Sequence, residues 1–125
     1  MILVDTSVWV DHLRSGDAQL IDLLERAQVV MHPFVVGEMA CGSLGDRSSV
    51  LELLQDLPVA SVAESEEVLG FIERHVLHGK GIGYVDVHLL ASVALTEGTK
   101  LWTRDKRLLV AAQAQGCAFP DTTAH

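Results

Sequence analysis

The chain has 125 residues, 49% of them hydrophobic and 21% charged, enough for one domain with a genuine core and too apolar for a disordered segment. Its formal net charge of −8 argues against a protein that holds nucleic acid through a broad basic surface. Charges or glycines interrupt every apolar run before it reaches the length of a membrane span.

In chain order, Ile2 to Val4 is a short β-branched run that ends at Asp5-Thr6-Ser7, a strand followed by a helix-cap signal. Val8 to Leu13 predicts a short helix. A second helix restarts at Gly16-Asp17 and runs to about Ala27, with Leu20, Ile21, Leu23 and Leu24 as its apolar stripe. Gln28 to His32 is the second strand. Pro33 suits the first position of the helix that Phe34 to Cys41 supplies, and Gly42 and Gly45 break it. Asp46 to Asp56 is the next helix, Pro58 to Val62 the third strand, and Glu64 begins a helix that reaches about Leu77.

His78 to Gly83, with three glycines, is a flexible loop. Tyr84 to Thr96 is the most apolar helix and should lie against the sheet, and Gly98 stops it. Lys100 to Thr103 is a fourth strand, Asp105 to Gln115 a helix, and Gly116 to Phe119 a short fifth strand, with Pro120 to His125 as a frayed tail. Alternation of this kind predicts an α/β fold, a central parallel sheet of four to five strands flanked by helices, in one domain over 1–125. The first residues read as a strand and lack a signal peptide's features, so the expected location is cytoplasmic. Cys41 and Cys117 have no metal-ligand spacing and read as two small core residues.

Four acids stand out against this background. Asp5 and Asp105 follow apolar strands, and each could serve merely as a helix cap. Glu38 lies in an otherwise apolar helix with Phe34, Val35, Val36, Met39 and Ala40. Asp86 lies in the most apolar helix, where an ionised carboxylate is costly without a partner. The helix dipole returns only about 0.3–1 kcal/mol against the several kcal/mol of burying a charge. Strand-to-helix turns gather at one edge of an open α/β sheet, where ligands bind. Carboxylates clustered there repel one another unless a cation sits among them, and oxygen-only ligands select a hard divalent ion. With those four acids set aside the chain still carries −4, so any nucleic-acid substrate would be gripped by metal and a few local cations. Arg104 and Lys106 are candidates for contact with substrate phosphates, with Arg14, Lys80 and Arg107 the other cations near that edge. Trp9 and Trp102 read as core packing residues, and His88 as a partly buried polar residue rather than a metal ligand.

The segments Val4-Asp5-Thr6-Ser7-Val8-Trp9, Gly37-Glu38, Tyr84-Val85-Asp86-Val87-His88-Leu89-Leu90-Ala91 and Thr103-Arg104-Asp105 together resemble the PIN-domain ribonucleases, and among them the VapC-type toxins of bacterial toxin–antitoxin pairs. The resemblance covers essentially the whole chain in order and length. It implies a PIN-like three-layer fold and a site of Asp5, Glu38, Asp86 and Asp105 holding one or two Mg²⁺ or Mn²⁺ ions. Thr6 and Thr103 would be supporting hydroxyls. It further implies metal-dependent endonucleolytic cleavage of RNA, a VapB-type antitoxin that blocks the site, and a homodimer. Two other classes compete. A phospho-receiver-like module wants adjacent acids after the first strand, an Asp after the third and a Lys near the fifth; Asp5-Thr6, Pro58 to Ser61 and Gly116 to Ala118 fail each requirement. A metal-free RNA- or protein-interaction domain of similar fold would gain no stability from divalent ions.

Overall fold

The computed structural model describes residues 1–122. Three strands and seven helices follow one another as β1 (Ile2–Val4), α1 (Thr6–Ser15), α2 (Ala18–Glu25), β2 (Val29–Val30), α3 (Pro33–Cys41), α4 (Arg47–Asp56), α5 (Ser65–His75), α6 (Tyr84–Leu95), β3 (Lys100–Trp102) and α7 (Lys106–Ala114). The sheet is parallel in the order β2-β1-β3. β1 sets Leu3 beside Val30 on one side and Leu101 on the other, and Val4 faces Trp102. Helices connect all the strands, as parallel pairing requires.

The sheet is narrower than the four to five strands expected. The predicted third strand contributes only a bridge at Val59 to Met31, and the predicted fifth only one at Ala118 to Leu101. Pro58 has no N–H to extend the ladder and only accepts from Met31, at 2.7 Å; Ala60 donates to the carbonyl of the same Met31 and closes the bridge. At the other edge Leu101 donates to Cys117 and accepts from Phe119, both at 2.8 Å, and pairing stops there.

Leu3, Val4, Leu101 and Trp102 are fully buried at the sheet centre. α6 buries Val87 to Val93 without a break, which explains why its sequence is apolar all round rather than striped. Trp9 joins the same core. Cys41, expected inside, is exposed, because α3 ends there and turns its last residue outward; Cys117 is half-buried beside β3, and burial pushes its thiol pKa up. The tail is also better anchored than a frayed end. Gln19 of α2 donates to the Pro120 carbonyl at 2.9 Å and accepts from the Thr122 N–H at 3.0 Å. The rest of the predicted tail, 123–125, lies outside the described residues. No described helix is long and apolar enough to cross a membrane.

Candidate active site

Each acid is delivered by a different element. Asp5 immediately follows β1 at the head of α1, and Asp105 holds the same position before α7. Asp86 lies in the first turn of α6, and Glu38 lies midway along α3 on its exposed side. Asp5 is almost completely buried, at 4% exposure.

The two strand-end acids differ in role. Asp105 does cap its helix, since one carboxylate oxygen accepts the Leu108 N–H at 3.0 Å. Asp5 makes no side-chain cap bond to α1. Its Oδ2 instead accepts two hydroxyl donors, Ser7 Oγ and Thr103 Oγ1, each at 2.8 Å. Its Oδ1 takes no hydrogen bond among the described residues, so a buried carboxylate is held rigidly from one side and left open on the other. Thr6 turns the opposite way and donates to Glu38 Oε1 at 2.8 Å. Neighbouring residues on one turn thus orient carboxylates of different helices.

Ser7 was not among the supporting hydroxyls expected from the sequence. Besides holding Asp5, it accepts the Arg104 backbone N–H at 2.9 Å, and Asp105 donates its own N–H to Thr103 Oγ1 at 3.1 Å. The turn after β1 and the turn after β3 are therefore laced together. The only hint in sequence was a hydroxyl two residues past an acid, a pattern that N-caps share.

The four carboxylates fall within electrostatic range of one another, and Asp86 registers it. Its pKa rises from 3.8 to about 6, first through burial, then through Asp5 and Asp105, with a smaller push from Glu38; a backbone hydrogen bond at Gly83 works against them. No three His, Cys, Asp or Glu side chains among the described residues are drawn into a close ligand group. The acids are near enough to act on Asp86 without closing into a ready-made ligand cluster. That fits a small hard ion, which takes one or two carboxylates directly and reaches the others through its waters.

Aromatic packing fixes the helices that carry Glu38 and Asp86. His32, fully buried, accepts the Phe34 N–H through Nδ1 and starts α3. Phe34 meets His88 of α6 edge-on at 4.6 Å between ring centres, and Tyr84 meets His88 at 4.7 Å. Burial, then His88, lowers the His32 pKa to about 4, so His32 is neutral at pH 7, and burial lowers the His88 pKa as well.

Arg104 and Lys106 part company. The Arg104 guanidinium turns away from the acids and binds Asp121 through Nε at 2.7 Å, Asp11 through Nη1 at 2.9 Å and Asp17 through Nη2 at 2.5 Å. Burial disfavours its charge, but those three acids outweigh that cost and raise its pKa. Lys106 is exposed in the first turn of α7, directly after Asp105.

A family model described as PIN domain matches residues 2–114. The chain belongs to the PIN-domain family. Over 121 residues it is 49% identical to Ribonuclease VapC32 of Mycobacterium tuberculosis, in each of two strains, an alignment that spans 97% of this chain and 98% of the relative. The solved structure of FitAcB from Neisseria gonorrhoeae aligns with a TM-score of 0.63 over 96% of this PIN domain and 97% of that chain; at 21% identity the likeness is one of fold.

Proposed function

We propose that this PIN domain, occupying 1–125, is a VapC-type ribonuclease, the toxin of a toxin–antitoxin pair, which hydrolyses RNA phosphodiester bonds in the cytoplasm. The observation that carries this reading is the strain on the Asp86 carboxylate, set first by burial and then by Asp5, Asp105 and Glu38, which a bound cation would relieve. The names of the relatives support it. Asp5, Glu38, Asp86 and Asp105 would hold one or two Mg²⁺ or Mn²⁺ ions. Such an ion supplies a water of lowered pKa and offsets charge on the scissile phosphate.

The chain's own part is placement. Ser7 and Thr103 hold Asp5 by one oxygen and leave the other to offer, Thr6 orients Glu38, and the cap bond from Leu108 leaves Asp105 one oxygen to offer. Arg104 has no substrate role in this reading, since each of its nitrogens holds a carboxylate. A groove of about 550 Å³ runs from Thr6 and Glu38 past Val10, Leu13, Met39 and Val50. It suits an amphipathic antitoxin segment that would cover the acids. Exposed Val59, Val62 and Leu69 leave apolar surface for a second copy in a homodimer.

The test is cleavage of total cellular RNA by the purified chain in Mn²⁺ or Mg²⁺, beside Asp5→Asn. Discrete fragments that need the metal and vanish in the variant are expected. Melting in the same buffers separates this reading from a metal-free interaction domain. Near-saturating ion should stabilise the wild type by about 2–3 kcal/mol and Asp5→Asn far less; equal curves with and without ion would sink the proposal. Thr103→Val should cost about 10–100-fold in Mn²⁺ affinity or rate, the usual size for losing an outer hydrogen bond to a ligand. Titration calorimetry checks it, and an unchanged affinity would show that Ser7 alone suffices to hold Asp5.

A further inference from the structure

An open trough of about 540 Å³ lies between the end of α5, the loop before α6 and the outer face of α7. Lys80, Lys106 and Arg107 stand around it, over an apolar floor that includes Leu77, Ile82 and Val110. The chain carries 17 acids against nine Lys and Arg, yet none of the trough's lining residues is acidic. Of the six cations elsewhere, three are occupied: Arg104 by three carboxylates, Arg26 by Asp22, Arg47 by the carbonyls of Ala40 and Gly42; the other three, Arg14, Arg74 and Lys100, are scattered rather than gathered around one trough. Lys80, Lys106 and Arg107 form no ion pair among the described residues.

Three local features set this trough apart. Lys106 and Arg107 open α7, where the helix dipole disfavours cations and only the capping Asp105 offsets it. The Arg107 guanidinium lies against Gly81, whose φ of +72° and missing Cβ make room for it; any side chain at Gly81 would run into Arg107. Val76, a β-branched residue, takes the left-handed φ of +51° that turns the chain from His75 at the wall to Leu77 in the floor. Strain of this kind concentrates where function over-determines the backbone.

The trough's residues also adjoin the site acids along the chain at two points. Lys106 follows Asp105, and Ile82 precedes Gly83, where a Cβ would lie 3.8 Å from Asp86 Oδ2. From this geometry we infer that Lys80, Lys106 and Arg107 seat the phosphodiester backbone of the RNA on one side of the bond being cut, with a base resting on Leu77, Ile82 and Val110. A polyanion is the occupant that matches a basic strip with no acid in it, bordering a site that itself repels phosphate until a metal is bound. The inference rests on the ribonuclease reading.

The full chain tests it in two assays: cleavage of cellular RNA in Mn²⁺, and fluorescence anisotropy of a short mixed-sequence single-stranded RNA across a salt series without divalent ion. For Lys80→Ala/Arg107→Ala the expected result is a KM raised about tenfold with kcat little changed. The salt slope of binding should fall by about 1.4, the value for two lost phosphate contacts on a single strand. Arg26→Ala, a surface control, should match the wild type. Lys80→Gln/Lys106→Gln repeats the test without disturbing Arg107 on Gly81, should the first pair fail to fold. A wild type that cuts RNA while both double variants keep its KM and salt slope overturns the inference and spares the nuclease. A wild type that cuts no RNA removes both. Loss of binding to an acidic peptide with RNA kinetics unmoved would make the trough a protein-docking surface, and that too overturns it.

Discussion

Asp86→Asn should raise the melting temperature of the metal-free protein at pH 7 by several degrees and yet lower RNA cleavage by about 10²–10³-fold, the scale of losing one preorganised charge-stabilising group. The two effects have one origin. Folding lifts the Asp86 pKa from 3.8 to about 6, mainly by burial and then by its acidic neighbours, so at pH 7 the folded chain carries a charge that the unfolded chain holds more easily. A shift of that size corresponds to about 3 kcal/mol before solvent screening and roughly 1–2 after it. Between pH 4 and 6 the folded state binds more protons than the unfolded state. The group's penalty is therefore absent below about 4 and fully present above 6, and stability falls as pH rises through that window. The Asn variant should lose this dependence, and Mn²⁺ should flatten it in the wild type. Melting curves from pH 4 to 8 with and without ion check the claim. An Asn variant that melts below the wild type in chelator would mean that the carboxylate is a structural partner.

Arg104→Met should be the most damaging single change outside the core, with a loss of about 3 kcal/mol or more and a melting temperature roughly 10 °C lower. The guanidinium gathers Asp11 from α1, Asp17 from the head of α2 and Asp121 from the tail. Removing it leaves three carboxylates facing each other, and Asp17, 6% exposed, has no solvent to screen it. Arg104→Lys should recover little, because one ammonium cannot present three directed donors to three acids. Acid should partly rescue the Met variant by protonating the crowded carboxylates. Circular dichroism melts of both variants at pH 5 and 7 test this; a Lys variant as stable as the wild type would show that charge alone matters. The Ser7 bond to residue 104 uses its backbone N–H, so any fall in cleavage should track the lost fold.

The sequence showed most clearly the features with a strong local cause. Asp86 was conspicuous because an apolar helix makes a carboxylate expensive, and the structure registers that expense as a raised pKa. The helices were legible from caps and breakers: Asp105 before α7, Pro33 at the head of α3, glycine after α1. Sheet width was not. Pro58 to Val62 and Gly116 to Phe119 have strand-like composition, but whether such a segment pairs along its length or touches at one residue depends on how helices α4 and α7 deliver it, which no local pattern records. The same holds for Arg104. Its charge and place beside Asp105 suggested phosphate, while its actual partners lie 17, 87 and 93 residues away. Ser7 escaped notice for the opposite reason, since a serine at a helix start has an ordinary explanation.

β1 lies between β2 and β3, so the first strand to be synthesised is the one the last strand must find. Thr103 reaches Asp5 across 98 residues, and the acids that neutralise Arg104 include Asp121, 17 residues further along. A polypeptide still emerging from the ribosome, N-terminus first, carries Asp5 and Glu38 long before it carries Asp105. Whatever chemistry the four acids perform, it waits for Lys100–Trp102 to dock beside Ile2–Val4. Strand order thus makes the site a late product of folding, complete only when β3 has paired with β1.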